Sequence, residues 1–409
     1  MESGRRRLQV LVNDTVVGTL ETDRRESCEF RLTASYREAY PRPVLGQMFL
    51  DDLEQVHRTR MGVPPWFSNL LPERDGELRK LIAGKAGISK EREFLLLHHL
   101  GQDLPGAVRI IADEPWAGEE TSDPAPSRDD APDDAWHFSL AGVQLKFSAL
   151  HRDRGLTIPV SGTGGDWIVK LPDSRQPGVP KNEFATMRWA AASGIEIPDI
   201  ELIDIADISG LPTRAAGFME RSAFAIRRFD RPAADRRVHI EDFAQVLGLS
   251  PGQKYSKYNY ETLANVILRL AGSAGLDEFV RRLVFIVASG NGDAHHKNWS
   301  LIYHDGVRAE LSPAYDMVST IQYWFDDELA LNLAGSKRWT DVDDRSFVRM
   351  AQKIGEDGRR MTERMEASID AVLTAWRRSA ADFGHSETAR EVVERHMRRV
   401  PLLSGRLRR

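Results

Sequence analysis

The chain has 409 residues, of which 41% are hydrophobic and 29% are charged, and its formal net charge is -5 with a pI near 6.2. This length suits two or three globular domains, and this charge gives no overall footprint for nucleic-acid binding. The single cysteine, Cys28, excludes a disulfide framework and a cysteine-based zinc cluster, as is typical of cytoplasmic proteins. No apolar run of about 18 residues is present, so we expect neither secretion nor a membrane span.

The first part of the chain predicts a small mixed domain. Two strand-like runs, residues 8–12 and 16–20, flank Asn13-Asp14-Thr15 and indicate a hairpin. Three helical segments and one further strand-like run follow, at residues 66–71, 77–82, 94–100 and 107–111. We interpret residues 1–112 as one α+β unit, called the N-terminal unit below.

Residues 113–134 differ sharply from what precedes them. The segment holds nine acidic residues, several prolines and one arginine, with almost no large apolar side chains. Such a composition buries too little apolar surface to order itself. We therefore predict a solvated acidic, proline-rich linker, with a functional acidic segment as the alternative.

After the linker the pattern predicts a strand-rich lobe and then a helical lobe. Strand-like runs lie at residues 136–150, 156–160, 167–171, 200–205, 217–220 and 224–229, with one helix at residues 182–192. Helical spacing follows at residues 243–249, 260–270 and 276–288, and three helices are expected from Ser346 onward. Residues 135–235 are therefore assigned to a β-rich lobe and residues 236–409 to a helical lobe, with a ligand cleft between them.

An acid, an amide and a second acid follow one another in the order used for phosphoryl transfer. Asp293 lies five residues before Asn298, which is the spacing of the proton-accepting aspartate and the magnesium-binding asparagine of a kinase catalytic loop. Asp316 follows after residues 299–311, where two strand-like runs flank an Asp-Gly turn. We expect this hairpin to bring Asn298 and Asp316 together as ligands of magnesium.

One lysine of the β-rich lobe is suited to hold nucleotide phosphates. Lys170 interrupts the apolar run Ile168-Val-Lys-Leu-Pro172, and a helix carrying Glu183 begins about a dozen residues later. A strand lysine held by a helix glutamate is the phosphate clamp of kinases. The alternative is a lysine on the solvated face of an edge strand.

Two segments compete as the phosphate-binding loop. Ser161-Gly-Thr-Gly-Gly165 is richer in glycine, but it lies between two short strands and indicates a plain hairpin turn. Ser139-Leu-Ala-Gly-Val-Gln-Leu-Lys146 has a glycine at a strand corner, whose backbone N–H groups could form an anion-binding nest.

Taken together, several motifs resemble the HipA family of serine/threonine kinase toxins. They are Ser139-Leu-Ala-Gly-Val-Gln-Leu-Lys146, Ile168-Val-Lys-Leu-Pro172, Asn182-Glu183, Arg228-Phe-Asp-Arg231, Glu241-Asp242 with Gln245, Gly292-Asp-Ala-His-His-Lys-Asn298 and Ser312-Pro-Ala-Tyr-Asp-Met-Val-Ser319. In the N-terminal unit, Trp66-Phe-Ser-Asn-Leu-Leu-Pro-Glu73 and Gly106-Ala-Val108 extend the likeness to nearly the whole chain. The resemblance implies an α+β, protein-kinase-like two-lobed fold with an additional N-terminal α+β subdomain and a helical C-terminal lobe.

The resemblance also implies a role for each site residue. Asp293 would be the general base, helped by Lys297, while Asn298 and Asp316 would hold Mg²⁺ and Glu183 would pair with Lys170. The ATP-binding residues would be Ala141, Gly142, Val143, Gln144, Leu145, Lys146, Lys170, Arg227, Arg228, Phe229, His295, His296, Asn298 and Tyr315. Ser139 corresponds to the serine that the family autophosphorylates, which would inactivate the enzyme. Leu145, His296 and Arg227 depart from residues often found in the family.

The implied function is an ATP-dependent toxin kinase of a type II toxin–antitoxin system. Its target would be a translation component such as an aminoacyl-tRNA synthetase, and its partner a HipB-like helix-turn-helix antitoxin through which it would meet DNA indirectly. Two alternatives stay open: a co-repressor whose kinase activity is dispensable, and a small-molecule kinase.

Overall fold

The structure is a computed structural model of the chain and describes residues 5–23, 26–113, 146–152, 155–157, 164–173, 176–211, 220–233, 235–324 and 326–407. The predicted linker after Asp113, the strand-like run at residues 136–145 and most of the run at residues 217–220 lie outside these ranges. So do Ser139 and Ala141 to Leu145 of the predicted nucleotide loop.

An antiparallel sheet of five strands forms the base of the N-terminal unit. The strands are β1 (Arg6–Val12), β2 (Thr15–Thr22), β3 (Cys28–Leu32), β4 (His57–Thr59) and β5 (Val108–Ala112), in the order β4-β3-β2-β1-β5. The predicted hairpin joins β1 to β2, and Asn13 takes the left-handed conformation (φ 52°) that its turn needs. The first and last strands of the unit therefore pair directly, which closes it as one body.

Five helices cover this sheet. They are α1 (Ala34–Glu38), α2 (Gln47–Leu50), α3 (Pro65–Ser68), α4 (Glu77–Ala86) and α5 (Glu93–Leu100). Phe30 of the sheet packs on Phe49 and Phe67 of the helices, with ring centroids 5.1 and 4.8 Å away. This aromatic cluster is the centre of the unit's core.

A second sheet and one helix form the strand-rich lobe. The strands are β6 (Lys146–Arg152), β7 (Gly155–Thr157), β8 (Trp167–Lys170), β9 (Ile200–Asp204), β10 (Ile208–Ser209) and β11 (Ser222–Arg227), in the order β10-β7-β6-β8-β11-β9. Only the β7–β10 pair is parallel. Helix α6 (Val179–Ala192) packs against β9 and β11, so the prediction of one helix on a mostly antiparallel sheet is confirmed.

The rest of the described chain consists of helices, connecting loops and a third, three-stranded sheet. That sheet consists of β12 (His239–Asp242), β13 (Ser300–Tyr303) and β14 (Glu310–Leu311). The helices are α7 (Phe243–Val246), α8 (Tyr260–Ser289), α9 (Asp344–Ile354), α10 (Gly358–Ser379), α11 (Glu387–Arg399) and α12 (Pro401–Ser404). No helix among the described residues is long and apolar enough to cross a membrane.

Several predicted boundaries in this part are wrong for identifiable reasons. The segment at residues 243–249 forms a single helical turn, because Gly248 takes a left-handed conformation (φ +60°). The two helices expected between residues 260 and 288 form one element kinked at Gly272 (φ 69°, ψ -163°). Four helices, α9 to α12, are present where three were expected from Ser346 onward, because Pro401 starts an additional short helix.

The predicted hairpin after Asn298 is present but short. Strands β13 and β14 are antiparallel, and β14 has only two residues. The Asp305 carboxylate accepts hydrogen bonds from the backbone N–H groups of Val307 (2.9 Å) and Arg308 (2.8 Å). These bonds hold residues 305–308 in a turn, so Val307 and Arg308 do not belong to the second strand as predicted.

Buried hydrogen bonds join the N-terminal unit to the helical lobe. The indole of Trp66 donates to Glu241 (2.9 Å), and the amide of Asn69 donates to the carbonyl of Leu249 (2.7 Å). Such bonds keep their strength because water is excluded from them. The unit is therefore held against the cleft rather than simply tethered beside it.

Candidate active site

The predicted catalytic loop connects α8 to β13. Gly290 ends α8 in the left-handed conformation (φ 64°), and the chain then turns tightly around the carbonyl oxygen of Asp293. That oxygen accepts bonds from the N–H of His295 (2.7 Å) and from the side-chain Nδ2 of Asn298 (2.8 Å). The five-residue spacing between Asp293 and Asn298 is thus the spacing of a closed turn.

The side chain of Asp293 is held by a residue that the sequence did not single out. The hydroxyl of Tyr255 donates to Asp293 Oδ1. Burial raises the pKa of Asp293 above its ordinary value, and the Tyr255 bond works in the opposite direction. A carboxylate that is desolvated and still ionised is a stronger proton acceptor, which suits a general base.

Asp316 lies at the centre of a cluster of opposite charge. Lys146 Nζ is 3.2 Å from both carboxylate oxygens, and Lys170 also forms an ion pair with Oδ1. Burial alone would raise the pKa of Asp316, but the two lysines outweigh it and hold this pKa well below its usual range. Asp316 also takes a left-handed backbone conformation (φ 54°), which is uncommon for a residue with a side chain and typical of functional sites.

Lys170 forms a buried ion pair with Glu183. Lys170 is the last residue of β8 and is 4% exposed, whereas Glu183 lies on α6 and is fully buried. Burial lowers the pKa of Lys170, but Asp316 and Glu183 together raise it above the ordinary value, so the ammonium is charged. The alternative of a solvated edge-strand lysine is wrong, because β8 lies between β6 and β11.

A cavity of about 420 Å³ is lined by Lys146, Lys170 and Asp316, whereas Asp293 and Glu183 are not among its described lining residues. Lys146, Lys170 and Asp316 lie at its polar end, with Lys297 and Tyr315 beside them. The N-terminal unit supplies much of the apolar wall, through Leu70, Leu71, Pro72, Leu78, Ile82, Leu100 and Leu104. The cavity is therefore built from all three parts of the chain.

Arg227, Arg228 and Phe229, which the family resemblance implies form the hinge that meets adenine, also line this cavity, but they differ in what they offer. The backbone N–H groups of Arg227 and Arg228 already donate to the backbone carbonyl oxygens of Asp199 (2.9 Å) and Asp166 (2.7 Å). Within the described part of the chain the N–H of Phe229 has no such partner, and its ring lies 5.7 Å from that of Tyr315. Phe229 is thus the hinge residue best able to meet a planar base.

The side chain of Arg228 joins a buried charge network rather than facing the cavity alone. It donates two bonds to Asp230 (3.0 and 2.9 Å) and lies 3.4 Å from Asp103 of the N-terminal unit. Arg231 bonds the same two carboxylates, at 2.8 and 3.1 Å. These two arginines and two aspartates fix the hinge to the N-terminal unit. The four residues are called the hinge network below.

The two histidines of the catalytic loop are placed differently from Lys297. The ring of His296 is fully buried and its Nδ1 bonds the carbonyl of Lys254 (2.6 Å). His295 packs edge-on against Tyr255, and burial lowers its pKa to about 3, so it is neutral. Lys297 lines the cavity, whereas neither histidine is among the described residues that line it. Their predicted contact with nucleotide stays a prediction.

Asn298 and Asp316 are close enough to share a ligand. Both line one small cavity next to Asn291 and Ala294. The amide nitrogen of Asn298 is used by Asp293, which leaves its side-chain oxygen for another partner. One carboxylate and one amide oxygen fit Mg²⁺, which commonly takes one or two protein ligands and completes its shell with phosphate and water. Among the described residues no cluster of three His, Cys, Asp or Glu side chains forms a different metal site.

The sequence places Glu73 at the end of a family motif but gives no role for it. This residue of the N-terminal unit forms ion pairs with Lys254 (3.3 Å) and with Lys297 (3.5 Å). Burial would raise the pKa of Glu73, but Lys297 and Lys254 lower it below its ordinary value. It follows a proline in a loop more than two hundred residues before Lys297, so no local pattern indicates this pairing.

Comparison with known proteins agrees with this architecture. Residues 8–111 match the model of the HipA N-terminal domain, and residues 138–376 match that of the HipA-like C-terminal domain. Y4dM of Sinorhizobium fredii, a candidate kinase by name, is 41% identical over 386 residues, which are 91% of this chain and 92% of that protein. The serine/threonine-protein kinase toxin HipA of Shewanella oneidensis is 28% identical over 298 residues, 64% of each chain.

One solved structure has the same fold over nearly the whole length. It is the complex of HipA, HipB and operator DNA from Shewanella oneidensis MR-1, with a TM-score of 0.70, 20% identity, and coverage of 96% of this chain and 95% of that one. The two matching domain models, the relative at 41% identity and this shared two-lobed α+β fold lead to one conclusion. The chain belongs to the HipA family of kinases.

Proposed function

We propose that this chain is an ATP-dependent serine/threonine protein kinase and the toxin of a type II toxin–antitoxin system. The main support is that Lys170 and Asp316 line one cavity and Asn298 and Asp316 line a second one that shares Tyr315 and Asp316 with it. Glu183 pairs with Lys170, and Asp293 belongs to the same closed turn as Asn298, which are the residue types that phosphoryl transfer uses. The half-buried Asp293 has a raised pKa and the nearby Asp316 a lowered one, and carboxyl groups with pKa values shifted apart in this way are typical of functional sites.

Each of these residues has one task in the proposed reaction. Lys146 and Lys170 would hold the phosphates of ATP, while Phe229 would meet the adenine. Asn298 and Asp316 would hold magnesium, which when bound neutralises charge on the phosphate oxygens. The Asp293 carboxylate would orient the hydroxyl of the acceptor protein and take its proton. Lys297 would add positive charge near the transferred group.

The partners are inferred from the relatives. The matched Shewanella oneidensis structure holds HipB and operator DNA, so we infer a HipB-like helix-turn-helix antitoxin for this chain and contact with DNA through it. A translation component such as an aminoacyl-tRNA synthetase is the proposed substrate, in the cytoplasm. Autophosphorylation of Ser139 is also proposed, although this serine lies outside the described residues.

We also propose the division of the chain that the sequence predicts: an N-terminal unit (residues 1–112), a linker (113–134), a nucleotide-binding lobe (135–235) and a helical lobe (236–409). It is supported by the three sheets, whose strands lie within residues 6–112, 146–227 and 239–311.

Replacement of Asp293 by asparagine tests the proposal. The purified wild type, Asp293→Asn and the control Asp370→Asn, which changes an exposed aspartate of α10, would be incubated with γ-labelled ATP, Mg²⁺ and cell lysate. We expect wild type and control to label a protein, and Asp293→Asn to lose at least a hundredfold in rate while still binding ADP in a calorimetric titration.

The same experiment separates the alternatives. Label in a small metabolite instead of a protein would identify a small-molecule kinase. Growth arrest by Asp293→Asn equal to that by wild type would favour the co-repressor, whose action does not need phosphate transfer. An unlabelled lysate with the wild type would contradict the kinase proposal.

A further inference from the structure

A loop of the helical lobe lies across the catalytic loop and carries Tyr255. The loop comprises residues 250–259, between α7 and α8. Its Tyr255 hydroxyl donates to Oδ1 of Asp293. Among the hydrogen bonds of the described residues, Oδ2 of Asp293 has no partner, so one oxygen of the carboxylate is engaged and the other is available.

The backbone around Tyr255 is fixed to the catalytic loop itself. The carbonyl of Lys254 accepts two bonds from His296, one from the backbone N–H (3.2 Å) and one from ring Nδ1 (2.6 Å). Because a carbonyl oxygen only accepts, Nδ1 of His296 carries the proton. The next carbonyl, that of Tyr255, accepts a bond from Lys337 Nζ (3.4 Å). The carbonyl groups on both sides of the Tyr255 Cα are therefore hydrogen-bonded, which fixes the backbone of this residue.

Tyr255 does not belong to the hydrophobic core. It is 41% exposed, and one contact of the ring is with the edge of the neutral His295, at 4.8 Å between centroids. Packing therefore gives little reason for a tyrosine here. The hydroxyl, which meets Asp293, is the part of the side chain that makes a specific bond.

We propose that Tyr255 is a positioning residue, whose hydroxyl fixes the Asp293 carboxylate so that Oδ2 is directed to the incoming acceptor hydroxyl. The inference rests on the proposed kinase function. A single hydrogen bond to one oxygen removes the rotation of the carboxylate about its terminal bond, and correct orientation of a reacting group accounts for much of enzymatic rate. Another reading is that Tyr255 imitates the acceptor and blocks the site. The anchoring by His296 disfavours this reading, because the blocking group could not leave without disturbing the catalytic loop.

The test compares Tyr255→Phe with Tyr258→Phe. Tyr258 lies in the same loop, and its ring is 6.4 Å from that of His296, so the control removes a hydroxyl from the loop without touching Asp293. Initial rates of label transfer from γ-labelled ATP to lysate protein would be measured over a range of ATP concentrations. ADP affinity with Mg²⁺ and the thermal midpoint would be measured on the same samples.

We expect Tyr255→Phe to lower kcat roughly tenfold, the effect of one lost hydrogen bond to a charged group. The KM for ATP, the ADP affinity and the thermal midpoint should stay at wild-type values, and Tyr258→Phe should match wild type throughout. This split between kcat and KM distinguishes positioning from a general structural role.

Four results would overturn the inference. An unchanged kcat would show that the bond has no catalytic role, and an increased kcat would identify Tyr255 as a blocking group. A parallel fall of kcat, ADP affinity and thermal midpoint would show a structural role only. A wild type that binds ADP but transfers no phosphate would reject the kinase proposal and this inference with it, whereas an active wild type with an equally active Tyr255→Phe would reject the inference alone.

Discussion

Trp66 of the N-terminal unit donates a hydrogen bond to Glu241 of β12, a residue 175 positions further along the chain. Glu241 is fully buried, and its other donors are the backbone N–H of Gln47 (3.1 Å) and the hydroxyl of Tyr303 (3.0 Å). All three donors are neutral, and no cation contacts the carboxylate among the described residues. Burial therefore raises the pKa of Glu241 to about 7.

This raised pKa predicts how stability depends on pH. A carboxyl whose pKa is higher in the folded than in the unfolded chain favours folding while it is protonated. Its contribution is full below the ordinary pKa of 4.5 and is lost as the pH rises through about 7. A pKa difference of this size corresponds to at most about 3 kcal/mol.

Glu241→Gln tests this dependence, because glutamine has nearly the same shape and does not titrate. We expect the variant to become increasingly stable relative to wild type as the pH rises from 5 to 8, measured as the difference in thermal midpoint. Asp242, whose pKa burial raises to about 6, titrates in both proteins and enters the difference only through its repulsion of the Glu241 carboxylate, which also favours the variant at high pH. A midpoint difference that is constant over this range would contradict the assignment.

Glu73→Gln is predicted to tighten nucleotide binding. The Glu73 carboxylate neutralises part of the charge on Lys297, which lines the cavity where phosphates are expected. Removal of this negative charge should strengthen ADP binding about fivefold at low salt, with a smaller gain at high salt. The thermal midpoint should change little, because a half-exposed ion pair contributes at most about 1 kcal/mol.

Glu91→Gln is the matched control for Glu73. The side chain of Glu91 is 44% exposed, against 45% for Glu73, and it pairs with Arg74 of the same unit. Calorimetric titration should find the ADP affinity of the control equal to that of wild type. Equal affinities of Glu73→Gln and Glu91→Gln would show that Glu73 does not influence the nucleotide.

Lys170→Met is predicted to abolish transfer and to destabilise the chain. Without the ammonium, Glu183 and Asp316 lose a shared partner, and a buried charge left unpaired costs about 3–5 kcal/mol. Lys170→Arg retains the charge and should fold, but its planar guanidinium differs in shape from an ammonium, so transfer should still fall at least tenfold. The arginine variant therefore separates loss of chemistry from loss of fold.

The control for these variants is Lys181→Met, on an exposed position of α6. Its transfer rate and thermal midpoint should equal those of wild type. If Lys170→Arg transferred phosphate at the full rate, the lysine would act as a charge and not through its geometry.

Gly292→Ala is predicted to damage the catalytic loop more than the fold. A Cβ at residue 292 would overlap the carboxylate of Asp327, which is held in place by the hydroxyl of Thr320. The same hydroxyl accepts the N–H of Gly292 (2.6 Å), so relief of the overlap would shift the residue before Asp293. We expect transfer to fall at least tenfold and the thermal midpoint to drop by a few degrees.

Gly405→Ala provides the comparison, because its Cβ would meet nothing within 4 Å and its φ is -76°. It should transfer phosphate like wild type. Unimpaired transfer by Gly292→Ala would show that the Asp327 carboxylate moves aside freely.

Features set by neighbouring residues could be predicted from the sequence. The β1–β2 hairpin, the α+β two-lobed order and the turn from Asp293 to Asn298 each depend on residues a few positions apart. Lys170 was found because it alone interrupts an apolar strand. The kink at Gly272 lies between two stretches that we predict as separate helices, because a glycine there is equally compatible with a kink and with a helix end.

Contacts between distant segments could not be predicted in this way. Glu73 and Glu241 lie in quoted motifs and Tyr255 does not, but nothing near any of the three indicates its partner, which lies between 38 and more than 200 residues away. Their roles come from the packing of the N-terminal unit and of one loop against the helical lobe. Such tertiary contacts leave no periodic pattern in the residues themselves.

The hinge network has a consequence for how the protein can be divided experimentally. Arg228 and Arg231 would lose Asp103 if the chain were cut after residue 113, and Asp230 would lose the N–H of Gly106 that now bonds it (2.9 Å). The cavity would also lose the wall that the N-terminal unit supplies, so apolar side chains of the lobes that line it, such as Phe147, Ile168 and Ile226, would face water. A fragment limited to the two lobes should therefore aggregate or misfold, and full-length protein is the smallest sound starting material for study of the catalytic lobes.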